Sequence, residues 1–246
     1  MENNKQPWEL RSDDVRTEDK LATFIIFTED KVSERVYFKS FETERVKVNA
    51  IGNQKRGIEN VFNAIVHCEK KGLFDNDEKV AEDGPHVWCV YDRDYNSNPN
   101  ETFKNDKMFS ESMCIAQKHN IKVAWSNDNF ELWVLLHYED VDEKKPLLRT
   151  KYYERLTKIM ESDDELCSHF SKAIDSGHYN YEECFKHKRN FKNHILPILK
   201  DETRRTAAIE RAEKLENHHT THTDKPHEMC PCTMVHHLVK ELLDNQ

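Results

Sequence analysis

The chain has 246 residues, of which 37% are hydrophobic and 34% charged, with a formal net charge of −9. That length fits one large domain or two small ones; five glycines and seven prolines exclude a collagen-like or low-complexity chain, while four tryptophans, eight tyrosines and twelve phenylalanines are enough to build a core. No run approaches the ~18 apolar residues of a membrane span, the opening MENNKQPWELRSDDVR has no apolar stretch of a secretory signal, and seven cysteines, an odd number, argue for a reducing cytoplasm rather than a disulfide framework.

Residues 1–20 are polar and aperiodic and read as a mobile arm. Thr23 to Phe27 (TFIIF) is β-branched and aromatic without polar alternation, the pattern of a strand buried on both faces. Val32 to Phe41 reads as a helix with Ser33 as its N-cap, and Val46 to Ile51 as a second strand. Ile58, Val61, Phe62 and Ile65 recur at helical spacing, and Gly72 is the natural stop of that helix. Val87 to Tyr91 (VWCVY) is a third strand that runs into Asp92-Arg93-Asp94. Phe103 to His119 reads as a helix, Ile121 to Trp125 as a fourth strand, and Phe130 to Tyr138 as an apolar helix. Strands alternating with helices predict an α/β fold, a mostly parallel sheet covered on both faces over residues 21–140. Ligands of such sheets bind beyond the carboxyl ends of the strands. Residues 141–246 predict a helical C-terminal region packed on that domain, with helices near 147–161, 181–200, 202–216 and 233–244, no comparable strand, and an irregular His/Cys-rich loop from His218 to Pro231.

The chemistry concentrates at strand ends. Glu29 lies just past the first strand, and Asp92 and Asp94 just past the third. In an extended segment residues i and i+2 point the same way, so Asp92 and Asp94 present two carboxylates together with Arg93 turned aside. If the first and third strands are neighbours, Glu29 joins them. Three hard oxygen donors at one sheet edge suit Mg²⁺ or Mn²⁺; a solvated Asp-x-Asp turn is the alternative. Glu131 opens the helix after the fourth strand, either as a carboxylate favoured by the helix dipole or as a fourth acidic member of the site.

Three segments resemble a known family. Glu29 to Phe38 (EDKVSERVYF) is similar to the "EGxxTExxYF" opening of RloB-like proteins, Val87 to Asp94 (VWCVYDRD) to their "VWCVFDxD" strand, and Ala124 to His137 (AWSNDNFELWVLLH) to their "SNPxFExWLLLHF" segment. Asn60 to His67 and Pro231 to Leu243 also resemble family segments, so the likeness runs from about residue 21 to the C-terminus. The resemblance implies a Toprim-like domain, in which a Glu after the first strand and Asp-x-Asp after the third bind Mg²⁺ and support phosphoryl chemistry. Glu29 would then be an acid/base or metal ligand, Asp92 and Asp94 ligands, and Glu131 a further acidic residue. It also implies a role in bacterial anti-phage defence and abortive infection, with an ABC- or SMC-type ATPase as partner. Two positions depart from the pattern: Asp30 stands where Gly is expected and Asp128 where Pro is expected. Asp30 would either crowd a phosphate or add a carboxylate.

Other clusters are weaker. Lys186, Lys188, Arg189 and Lys192, extended by Arg204 and Arg205, form a basic group interleaved with Phe185 and Phe191. In an acidic chain this is where a phosphate backbone would dock; a solvated helix face is the alternative. Arg149, Lys151 and Lys158 make a lesser patch. His218, His219, His222, His227, Cys230 and Cys232 are zinc ligand types, but Cys-Pro-Cys does not have finger spacing, and a polar loop is the preferred reading. His236 and His237 read as packing or surface positions. There is no G-x-x-x-x-G-K-[ST] motif, so any ATPase activity would come from a partner.

The leading expectation is a metal-dependent nuclease cleaving RNA such as tRNA, or else DNA. The second is a catalytically silent binding or regulatory subunit. A phosphatase of the haloacid-dehalogenase pattern fits poorly, since its Asp-x-Asp follows the first strand.

Overall fold

The computed structural model describes residues 21–52, 55–95 and 99–246; the arm expected over 1–20 lies outside them. Four parallel strands form the centre: β1 (Ala22–Thr28), β2 (Val46–Gly52), β3 (His86–Asp92) and β4 (Lys122–Asn127), in the order β2-β1-β3-β4. The first and third strands are therefore neighbours. Helix α1 (Ser33–Lys39) connects β1 to β2, α2 (Gly57–Lys71) connects β2 to β3, and α3 (Pro99–Lys118) connects β3 to β4.

The sheet is buried on both faces, as the unbroken apolar strands require. Phe24 and Ile26 of β1, with Trp88, Val90 and Ala124, face α1 and the C-terminal helices. Ile25 and Phe27, with Val87, Cys89 and Tyr91, face α2 and α3. The edge strand β2 alternates instead, burying Val46, Val48 and Ala50 and exposing Lys47 and Asn49.

The face of α2 is rotated from the expected one. Val61, Ala64 and Cys68 are buried, whereas Phe62 is 48% exposed. Buried Asn60 fixes this rotation, because its Nδ2 donates to the carbonyls of Val90 at 3.1 Å and Phe27 at 3.4 Å. Gly72 ends α2 in the left-handed conformation at φ 63°. Ser33 is not the cap of α1. Its own N–H and that of Val32 are both satisfied at 2.8 Å by the carboxylate of Asp30, placed one turn earlier.

Beyond β4 come α4 (Glu131–Leu136), α5 (Arg149–Glu161), α6 (Asp164–His169) and α7 (Ser171–Asp175). The helix expected over 181–200 is broken into α8 (Tyr181–Phe185), a single turn α9 (Lys188–Asn190), a π-helical turn (Phe191–Ile195) and α10 (Leu196–Lys200). Pro197 lies at the start of α10 and supplies no N–H to a continuous ladder. Then follow α11 (Glu202–Thr220), β5 (Cys232–Thr233) and α12 (Val235–Asp244). The half expected to hold no comparable strand contains only the two-residue β5 among its described residues, which pairs antiparallel with β4 through Ser126–Thr233 and Asn127–Cys232. Two residues are too few to carry a period. One core joins the two halves: all of Leu132–Leu136 pack with Tyr152, Leu156, Leu215 and Leu238. Among the described residues no helix is long and apolar enough to cross a membrane, and the seven cysteines are free.

Candidate functional site

Glu29 leaves the end of β1 with its N–H donated to Val90 O at 3.0 Å, so the pairing with β3 continues one residue past the strand. This puts its carboxylate beside Asp92, whose N–H donates to Glu29 Oε2 at 3.3 Å. Asp94 follows on the same edge. Arg93 turns away, donating to Asp106 Oδ1 at 2.7 Å and Asn127 Oδ1 at 3.2 Å. The alternation expected of an extended segment is what separates the carboxylates from this arginine. A cleft bounded by Arg56, Asp92, Asp94, Asn105 and Met108 opens onto the group.

Glu131 starts α4 with its residue 1% exposed. Its Oε1 is 2.9 Å from Lys186 Nζ, and Lys186 also donates to Tyr153 OH at 3.2 Å. Glu131 acts electrostatically on both Asp92 and Glu34, which ties α4 to the ends of β1 and β3.

Glu34 is the acidic residue that reading by strand ends overlooks. It is 1% exposed, and its Oε2 accepts the Asp30 N–H at 3.0 Å. The signal was present: Glu34, Tyr37, Phe38 and Phe41 fall at i, i+3, i+4 and i+7, so a carboxylate occupies the apolar stripe of α1. A buried carboxylate without a charged partner is costly and points to function.

The electrostatics follow from this crowding. Burial, then the charge of Asp94, pushes Glu29 up to about 7, against the opposing pull of the Asp92 N–H, Arg56 and Arg149. Asp92 is held well above the usual carboxylate range by burial and then by Glu34, Glu29, Glu131 and Asp94. Glu34 is raised likewise by burial, then by Glu29 and Asp30. Besides Lys186 at Glu131, two arginines stand at the Asp94 side. Arg56 Nη1 is 2.7 Å from Asp94 Oδ2 and its Nε 3.4 Å from Glu29 Oε1. Arg149 pairs with Asp94 and lies 3.6 Å from Asp128 Oδ1. Arg149, assigned by sequence to a lesser surface patch, thus belongs to the acidic site.

Both departures from the family pattern have structural work. Asp30 turns its carboxylate onto the first turn of α1, where a negative charge is favoured. Asp128, 2% exposed, accepts the backbone N–H of Tyr95 at 2.9 Å and of Arg149 at 3.0 Å. It therefore pins both the segment after Asp94 and the start of α5.

The sequence-predicted basic group is divided. Lys186 points into the acidic site. Lys188 and Lys192 line a groove with Lys31, Arg35 and Lys39 of the α1 side, and Arg189 is exposed. Arg204 lies over the Tyr138 ring at 5.2 Å and Arg205 over Phe41 at 5.9 Å. The His/Cys loop is divided too. His219 Nε2 meets Pro231 O at 3.0 Å, His227 Nδ1 meets Ser110 Oγ at 3.2 Å, and the Cys230 thiol faces Leu147 O at 3.8 Å. Cys232 is buried in β5, and the His218 ring meets His222, tilted, at 4.6 Å and His219, edge-on, at 5.1 Å.

The family model for RloB-like proteins matches residues 24–242. The chain belongs to the RloB-like family. The match spans the sheet except the first two residues of β1, the four carboxylates expected from the sequence, and the C-terminal helices into α12. No curated protein and no solved structure matches the chain significantly. Within this RloB-like chain, Glu29, Asp92 and Asp94 come together at one strand edge, Glu131 joins them from α4, and Glu34 completes the group from α1.

Proposed function

We propose that this RloB-like chain is a metal-dependent, Toprim-type nuclease acting in anti-phage defence, with RNA such as tRNA, or else DNA, as substrate and an ABC- or SMC-type ATPase as partner. The observation that carries the reading is the convergence of Glu29 with Asp92 across β1 and β3, the Asp92 N–H on Glu29 Oε2 at 3.3 Å. The donor set fits Mg²⁺ or Mn²⁺, since it offers several hard carboxylate oxygens whose mutual repulsion a divalent cation would relieve. Glu29, Asp92 and Asp94 would hold the ion. When bound, a divalent ion supplies charge for the developing phosphoryl negative charge and lowers the pKa of water.

The chain's own residues support the same chemistry. Where Glu29 is left free of the ion, its carboxylate, raised to about 7 in the metal-free chain, can take a proton from an attacking water and return it to a leaving oxygen. Arg56 and Arg149 stand beside Asp94, where their guanidinium groups can hold phosphate oxygens in a fixed orientation. Asp128 holds the Arg149 backbone in place. Buried Glu131 and partly buried Lys186 form an ion pair on the α4 side.

Those same arginine contacts favour one second reading, a silent subunit whose carboxylates are closed by its own cations. Isothermal titration with Mn²⁺ separates the two. The nuclease reading expects saturable binding lost in Asp92→Asn; absence of saturable binding in the parent chain would favour the silent subunit.

A further inference from the structure

A second polar cluster lies away from the strand ends, on the seam between α11 and α12. Glu216 of α11 faces two consecutive histidines of α12. His236 Nε2 is 2.9 Å from Glu216 Oε2, and His237 Nε2 is 2.9 Å from the same oxygen and 3.1 Å from Oε1. His236 is fully buried and His237 about half exposed.

The tautomer of His236 decides what this cluster needs. Its Nδ1 lies 3.1 Å from Thr233 O. A carbonyl can only accept, so Nδ1 carries the hydrogen. In the neutral ring Nε2 is then a bare lone pair, and it points at a carboxylate oxygen. Two lone pairs at 2.9 Å repel unless a proton or a metal ion lies between them. The His237 nitrogen reaches the same carboxylate, and the two rings are 4.1 Å apart. Two imidazolium ions at that distance, one of them fully buried, repel each other. Burial and then His237 act against a charge on His236 and outweigh the opposing pull of Glu216 and of the Thr233 carbonyl. The neighbouring lysine does not serve Glu216, because Lys240 pairs with Glu213 at 2.7 Å.

We propose that Glu216, His236 and His237 form a binding site for a zinc-type divalent cation, separate from the carboxylate cluster at the strand ends. Two imidazole nitrogens and one carboxylate oxygen are a borderline donor set, suited to Zn²⁺ or Co²⁺ rather than to Mg²⁺. The ligand atoms lie within 4.8 Å of one another. The Thr233 carbonyl orients His236 from behind, the outer-shell arrangement that metal-bound histidines commonly have. The exposed side of His237 leaves the fourth position to water. The ion would staple α11 to α12 and to β5, which carries Thr233. Since α11 also donates from Arg211 Nη1 to Leu136 O at 2.6 Å, the staple braces the helix that begins at Glu131.

The test is a Zn²⁺ titration of the full chain in excess Mg²⁺, with Co²⁺ absorption spectra as a second reading and thermal melting as a third. The expected result is one tight equivalent, a visible Co²⁺ band, and a Tm rise of about 5–10 °C at a hundredfold excess over Kd. Glu216→Gln and His237→Ala should each weaken binding at least tenfold and abolish the Tm rise. Both sites tolerate the change, since the glutamine keeps its shape and His237 is half exposed. Glu29→Gln and the double variant His218→Ala/His222→Ala should bind as the parent does. No stoichiometric binding, or binding that survives in Glu216→Gln or His237→Ala, would overturn the assignment. So would binding lost in the His218→Ala/His222→Ala variant.

Discussion

Replacing Glu29 by glutamine should make the metal-free protein more stable at pH 8 and nearly unchanged at pH 5. Glu29 has a folded-state pKa of about 7 against an ordinary value of 4.5, and its side chain is 16% exposed. A raised carboxylate pKa contributes stability that is fully present below 4.5 and is lost as pH rises through 7. At about 1.4 kcal/mol per tenfold change in proton affinity, ionisation at pH 8 costs the fold roughly 3 kcal/mol. At pH 5 the native group is still protonated and the difference falls below about 1 kcal/mol. Glutamine is uncharged, keeps an oxygen for the Asp92 N–H, and gives up only a 3.4 Å contact with the largely exposed Arg56. That contact is worth ~0–1 kcal/mol. The net gain is therefore about 2 kcal/mol at pH 8, or a Tm rise of about 5 °C for a chain of this size. Thermal and urea unfolding in EDTA at the two pH values measures it. A loss of stability at pH 8, or a gain of the same size at both pH values, would refute the electrostatic reasoning.

Other consequences follow from the same contacts. In EDTA the parent chain should lose stability as pH rises between about 4.5 and 7, and Mn²⁺ should flatten that decline; melts across a pH series with and without the ion check it. Lys186→Met removes the ion-pair partner of buried Glu131 and should cost about 3–5 kcal/mol, with Lys186→Met/Glu131→Gln recovering most of it in urea unfolding. Asp128→Ala removes the acceptor of two backbone N–H groups and should cost about 2–4 kcal/mol by the same assay, with a loss of Mn²⁺ affinity because the Asp94 segment is released.

Much of this organisation was legible in the sequence. The unbroken apolar runs at Thr23–Phe27 and Val87–Tyr91 marked doubly buried strands, and the alternation of strands with helices placed Glu29, Asp92 and Asp94 at one edge. Period two, carried through Asp92-Arg93-Asp94, also gave the turn of Arg93 away from the two carboxylates. What escaped has physical reasons. Glu34 was hidden because attention to strand ends passes over a charge within a helix face, although its spacing with Tyr37, Phe38 and Phe41 showed that the charge is buried. Ser33 looked like a cap, but the longer reach of Asp30 satisfies the same N–H groups. Phe62 belonged to a helical period that Asn60 overrides by bonding to the ends of β1 and β3. Strand β5 exists only through its partner β4, and two residues carry no pattern. Arg56, Arg149 and Lys186 come from three separate segments, so only the folded chain shows that they surround one group of acids. Glu216 and His236 are likewise twenty residues apart, and neither is unusual until α11 and α12 pack together.

The most direct test of the central claim is a cleavage assay with the purified chain, offering tRNA, mixed RNA, single-stranded DNA and duplex DNA in Mg²⁺ or Mn²⁺. The account predicts strand cleavage of at least one of these that is lost in EDTA, in Glu29→Gln and in Asp92→Asn. Cleavage that persists in EDTA or in both variants would contradict it, as would a chain that neither binds Mn²⁺ nor cuts any of the four.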